Sequence, residues 1–125
     1  MRPNRPILAA ALAVALPLCA FSQERDWILS GAELARALEG DFAPEASGDP
    51  ELRRRLSRER GLSYVQGVAD LTRGTRWCGQ IKPHELADRA YAHLRELPPA
   101  RLEGNAAALA VEALAAHFPC EAAPR

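Results

Sequence analysis

The chain has 125 residues, with sixteen basic and sixteen acidic side chains and a formal net charge of zero. That length points to one domain, and the balanced charge leaves no electrostatic footprint of a nucleic-acid binder. Aromatic residues are only 6% of the chain and alanine is heavily used, which favours helices over sheet.

Residues 1–22 read as a cleaved secretory signal. Arg2 and Arg5 form a basic start, and Ile7 to Leu18 is an apolar run too short to span a bilayer comfortably. Ala20 and Ser22 then supply the small residues of a cleavage site. An uncleaved N-terminal anchor is one alternative. Lipidation at Cys19 is another, disfavoured by the bulky Leu18 before it. Cleavage leaves residues 23–125 as a single helical domain in an exported protein. It also removes Cys19, so two cysteines remain, Cys78 and Cys120. Two cysteines in an exported chain are expected to pair. The loop they close is long, and chain entropy alone gives such a bond about 4 kcal/mol.

In the mature chain, Asp26 to Leu29 is an apolar lead-in. Ser30-Gly31-Ala32-Glu33 fits the S-x-x-E capping box, so a short helix should start there and stop at Gly40. Residues 41–50 form a linker rich in Asp, Pro, Gly and Ser. The longest helix is expected over residues 51–72, burying Leu52, Leu56, Leu62, Ser63, Val65, Val68, Ala69 and Leu71. Gly61 and Gly67 lie inside it and point to close packing, placed by the sequence against the alanine-rich last helix. Five arginines fall between Arg53 and Arg60. They read as a solvated face, with contact to an anionic partner, membrane or wall polymer as the alternative. Residues 73–82 form a glycine-containing connection that carries Arg73, Arg76, Trp77 and Lys82.

The last third holds two helical patterns. Residues 83–97 place Leu86, Ala90, Leu94 and Leu97 on one face, after Pro83. Residues 102–118 place Leu102, Leu109 and Ala113 in one stripe beside Ala106, Ala110 and Leu114. Pro98-Pro99 separates them, so the two should fold back as an antiparallel hairpin. Cys78 precedes the first and Cys120 follows the second, which brings both to the same end. The expected fold is therefore all-α: a compact four-helix domain whose C-terminal hairpin is stapled by one disulfide.

The run Tyr64-Val65-x-Gly67-Val68-x-Asp70, Trp77-Cys78, Glu85-Leu86, Pro98, Leu102, Ala106-Ala107-x-Leu109 and Ala113-Leu114-x-x-x-Phe118-Pro119-Cys120 resembles the Rap/Tai family of immunity proteins. These are small periplasmic inhibitors of peptidoglycan amidases delivered by type VI secretion. The likeness extends over about residues 30–120. It implies an all-helical periplasmic domain, a disulfide matching Cys78–Cys120, a homodimer, and a cognate secreted amidase whose cysteine–histidine site is blocked by an inserted loop or helix end. It also marks Tyr64, Gly67 and Asp70 as a helix-packing motif. Two departures stand out. Many such relatives carry a further cysteine pair, for which this chain has Leu38 and Gly61 in the neighbourhood. Lys82 stands where a capping threonine is usual, which should weaken that cap by about 1 kcal/mol.

Catalysis is not expected, and no cofactor or metal is implied. His84 and His93 are not at a metal-binding spacing, and neither they nor His117, Asp70 or Cys78 form a constellation with chemistry of its own. The expected mechanism is steric: a rigid scaffold presents a loop to a cleft. Residues 41–50 and 73–82 are the candidates. The second is the better one, because Cys78 tethers it and lowers its ordering cost. Arg73, Arg76, Trp77 and Lys82 are the candidate contacts with the partner. A general periplasmic helical binding or structural module without an amidase partner is the rival reading. No nucleic acid, and no membrane after signal cleavage, is expected as partner.

Overall fold

The computed structural model describes residues 25–43 and 48–121. The signal segment 1–22 lies outside the described residues, as does the middle of the linker. Among the described residues there are five helices and no strand: α1 (Gly31–Glu39), α2 (Pro50–Thr72), α3 (Pro83–Glu96), α4 (Pro99–Leu102) and α5 (Ala106–His117).

Each longer helix begins where its sequence supplies a cap. At α1 the Ser30 hydroxyl accepts from the Glu33 N–H at 3.2 Å, and the Glu33 carboxylate accepts from the Ser30 N–H at 2.8 Å. Arg25 adds an ion pair to Glu33 at 2.8 Å, which holds that carboxyl below its ordinary range. At α2 the Asp49 carboxylate accepts from the N–H groups of Glu51 and Leu52, with Pro50 in the first turn. At α3 only half a capping box forms. The Lys82 N–H donates to Glu85 at 3.0 Å, and the lysine side chain, having no acceptor, returns nothing.

The last helix starts later than its periodicity predicts. Leu102 ends the one-turn α4, and Asn105 caps α5 by accepting from Ala107 and Ala108. The break arises because the backbone there is committed elsewhere. Gly31 N–H donates to the Gly104 carbonyl, and Ala106 N–H donates to the Leu29 carbonyl, both at 3.0 Å. The lead-in to α1 thus docks across residues 104–106, and a helix running through them would lose both bonds. The crossing is tight: a Cβ on Gly31 would sit 2.5 Å from Leu109 and 3.1 Å from the Leu102 carbonyl.

The core joins Leu29 and Leu34 to Val65, Trp77, Leu86, Leu94, Leu109 and Leu114. α1 packs on α2 and α3, while α5 packs on both α2 and α3. Cys78 bonds to Cys120 at one end of the α3–α5 pair, with Cα atoms 4.7 Å apart. Further along, His93 meets Glu112 at 3.2 Å, so the two helices run in opposite directions.

The buried side of α2 holds to expectation at Val65 and Ala69 and departs from it elsewhere, with Leu62 and Val68 only half-buried and Ser63 exposed. Its fully enclosed residues are Ser57, Gly61, Val65 and Ala69, an i, i+4 stripe of mostly small side chains, whereas Leu52, Leu56 and Leu71 are exposed. Small residues win because α1 lies against this stripe at short range. Gly61 faces Leu38 of α1, not α5 as its glycine suggested, and Gly67 has open space beside it. Ser57 has a structural task here. Its hydroxyl accepts from the Phe42 N–H at 2.7 Å and donates to the Ala37 carbonyl at 3.0 Å, in full burial. Ser57→Ala leaves the Phe42 N–H unpaired, while the Ala37 carbonyl keeps the Gly40 N–H at 3.0 Å. The substitution is expected to lower unfolding free energy by about 1–2 kcal/mol in urea titration. An unchanged midpoint would show that the Phe42 N–H finds another partner.

Candidate partner-binding surface

The connection between α2 and α3 is a built turn, tied at both ends. Thr72 closes α2 by donating its hydroxyl to the Val68 carbonyl at 2.7 Å, and its own carbonyl accepts from Thr75 and Arg76. Gly74, with φ at +78°, turns the chain so that its N–H reaches the Trp77 carbonyl at 2.8 Å. Beyond the turn, Cys78 N–H donates to the Phe118 carbonyl at 2.8 Å, next to its bond with Cys120.

Trp77 is the peg of this turn. It is 2% exposed, its indole N–H donates to the Ala69 carbonyl at 3.0 Å, and its ring meets Phe118 edge-on at 6.2 Å. It therefore supports the surface from beneath and is not itself available to a partner. Arg73, Arg76 and Lys82 are exposed. Among the described residues none of the three makes an ion pair, although the Arg73 guanidinium lies over the Trp77 ring at 5.8 Å. The result is a rigid basic ledge whose charges remain free to meet acidic groups.

The expected packing motif is divided. Tyr64 is half-buried, and its hydroxyl, raised in pKa by burial, sits at the Ala107 backbone. Gly67 and Asp70 are exposed, and Asp70 makes no side-chain hydrogen bond among the described residues. They belong to the outer face of α2, not to the contact that Tyr64 makes.

The arginines of α2 are all exposed, which both the solvated reading and contact with an anionic partner require. Arg54 pairs with Glu51 at 2.5 Å, and Arg60 and Arg36 flank the Phe42 ring at 5.7 and 5.6 Å. These contacts fix the start of the linker, so residues 41–43 form an anchored segment. A hollow of about 660 Å³ beside it is lined by Arg36, Asp41, Phe42, Pro50, Arg53 and Arg54.

A feature not anticipated from sequence is an apolar hollow of about 250 Å³ between α2 and α5. Val68, Leu71 and Thr72 line one wall, Ala107, Ala108 and Val111 the other, and Arg76 stands at its rim. The strong apolar bias of α5 was the available signal, since a helix apolar on nearly all sides implies a cover on each.

The histidines are dispersed. His84 is exposed on the first turn of α3, His93 pairs with Glu112, and His117 ends α5 beside Phe118. Cys78 is oxidised, and no group of three metal-ligating side chains occurs among the described residues. No helix among the described residues is long and apolar enough to cross a membrane.

A search of curated proteins returned no match. The family model described as Rap1a immunity proteins matches residues 30–120, which takes in every described helix and both bonded cysteines. An all-helical core, a single staple between Cys78 and Cys120 and that match lead to one conclusion: the chain belongs to the Rap1a immunity proteins.

Proposed function

We propose that this protein is exported through its N-terminal signal and acts in the periplasm as a homodimeric inhibitor of a type VI secreted peptidoglycan amidase. It would protect the producing cell by filling the amidase cleft, with no chemistry of its own. Family membership supports the immunity role. The observation that carries the mechanism is the turn at residues 73–78. It is pinned by Trp77 and Cys78, and it presents Arg73 and Arg76 without acidic partners among the described residues. A preformed loop loses little freedom on docking, so its charge contacts count nearly in full toward affinity.

The test is capture. Mature, oxidised protein is used to pull partners from the periplasm of its own organism, and bound proteins are identified by mass spectrometry. An amidase at equal stoichiometry supports the reading. Its absence, or recovery of an unrelated envelope protein, moves the assignment to a general helical binding module. Given the amidase, charge reversal at Arg73 and Arg76 is expected to weaken binding by about tenfold, 1.4 kcal/mol, while circular dichroism stays unchanged. Unaltered affinity would reject this turn as the contact.

A further inference from the structure

The hollow between α2 and α5 adjoins the basic turn and has a composition of its own. Most of α5 is apolar on both sides. Its inner face buries Ala106, Leu109, Ala110, Ala113 and Leu114. Its outer face carries Ala107, Ala108, Val111 and Ala115, with Glu112 as the only charge among these positions. An outer face of that kind is ordinarily covered, yet here Ala108 is exposed and Ala107, Val111 and Ala115 are only partly buried. Across the hollow, Leu71 is 84% exposed, the most exposed large apolar residue described. Arg76 also lines the hollow and makes no ion pair among the described residues.

Resting on the immunity reading, we infer that this hollow seats an aliphatic side chain of the secreted effector, and that a carboxylate next to it in the effector pairs with Arg76. The volume of about 250 Å³ admits a branched aliphatic side chain. The walls supply apolar contact from both helices, and the single unpaired charge at the rim selects an acid. Arg76 thus joins the basic turn and the apolar hollow into one continuous contact. Leu71 and Val111 act as its apolar anchors, the kind of central pocket on which binding energy concentrates.

Two measurements test this. In the first, isotope-labelled mature protein is titrated with isocaproate, isocaproamide and acetate, and amide shifts are followed by NMR. Isocaproate is expected to give saturable shifts at Leu71, Thr72, Ala108 and Val111. The amide and acetate should each bind about tenfold more weakly, and Arg76→Gln should reduce isocaproate to the level of its amide. No saturable shift, or equal response to the three probes, overturns the proposal. In the second, Leu71→Ala, an exposed position that leaves the core intact, is measured against the captured amidase. About tenfold weaker binding is expected. Unchanged affinity overturns the proposal while leaving the immunity reading in place. If no amidase is captured yet isocaproate binds as described, the immunity reading fails and the chemistry assigned to the hollow stands.

Discussion

Replacing both bonded cysteines, Cys78→Ser with Cys120→Ser, is expected to reduce unfolding free energy by about 4 kcal/mol. The bond spans 42 positions and encloses α3, α4 and α5. In the unfolded chain it forbids the many conformations in which those ends separate, and cutting it restores them. A domain of this size holds only about 5–10 kcal/mol in total, so the variant should unfold at a much lower urea midpoint. Oxidised wild-type protein treated with a reductant should fall to the same value. The local geometry does not depend wholly on the bond. Cys78 N–H still reaches the Phe118 carbonyl at 2.8 Å, and Trp77 still packs on Phe118. The variant is therefore expected to be folded at low temperature, with the basic turn loosened and its partner affinity reduced. Equal midpoints for oxidised wild type and variant would sink this account and assign the junction to its non-covalent contacts alone.

Most of the architecture was legible in the chain because it is written in local signals. Ser30 with Glu33, Pro83 and Pro98-Pro99 mark starts and stops through backbone chemistry that needs no tertiary partner. The cysteine pairing followed from the order of α3 and α5. What could not be read depends on who lies opposite. The period of α2 allows several faces, and hydrophobicity favoured the one with Leu52, Leu56 and Leu71. The structure buries Ser57, Gly61, Val65 and Ala69 because proximity to α1 selects small side chains, and hydrophobicity does not encode proximity. Leu102 was assigned to the last helix for a similar reason. Its pattern is helical, but the hydrogen bonds that Gly104 and Ala106 make to Gly31 and Leu29 come from far along the chain. At the candidate surface, Arg73, Arg76 and Lys82 were legible as charges on a turn. Trp77 was named among the candidate contacts, and its burial and its bond to Ala69 make it an anchor instead. The hollow at Leu71 was hidden by the same ambiguity that misplaced the face of α2.

The two glycines of α2 turn that ambiguity into an experiment, because one substitution should have opposite effects at them. Both lie inside the helix, so alanine at either position gains roughly 1 kcal/mol of helix propensity. At Gly67 nothing lies within 4 Å of a new Cβ, and Gly67→Ala should therefore stabilise by about that amount. At Gly61 the new Cβ would meet Leu38 Cδ2 at 2.8 Å and the Leu38 backbone nitrogen at 3.0 Å. The leucine tip can rotate away, but the nitrogen belongs to α1 and moves only with the helix. Overpacking of that kind costs about 1–3 kcal/mol. Gly61→Ala should lose about 1 kcal/mol net, and Gly61→Leu about 3 kcal/mol or more as α1 is pushed off. Here a leucine packed on a bare helix backbone holds α1 to α2 at that point. Urea titration of Gly61→Ala beside Gly67→Ala decides the matter. Equal stabilisation by both would show that α1 does not lie close against Gly61, and with it would fall the explanation for the small-residue face of α2.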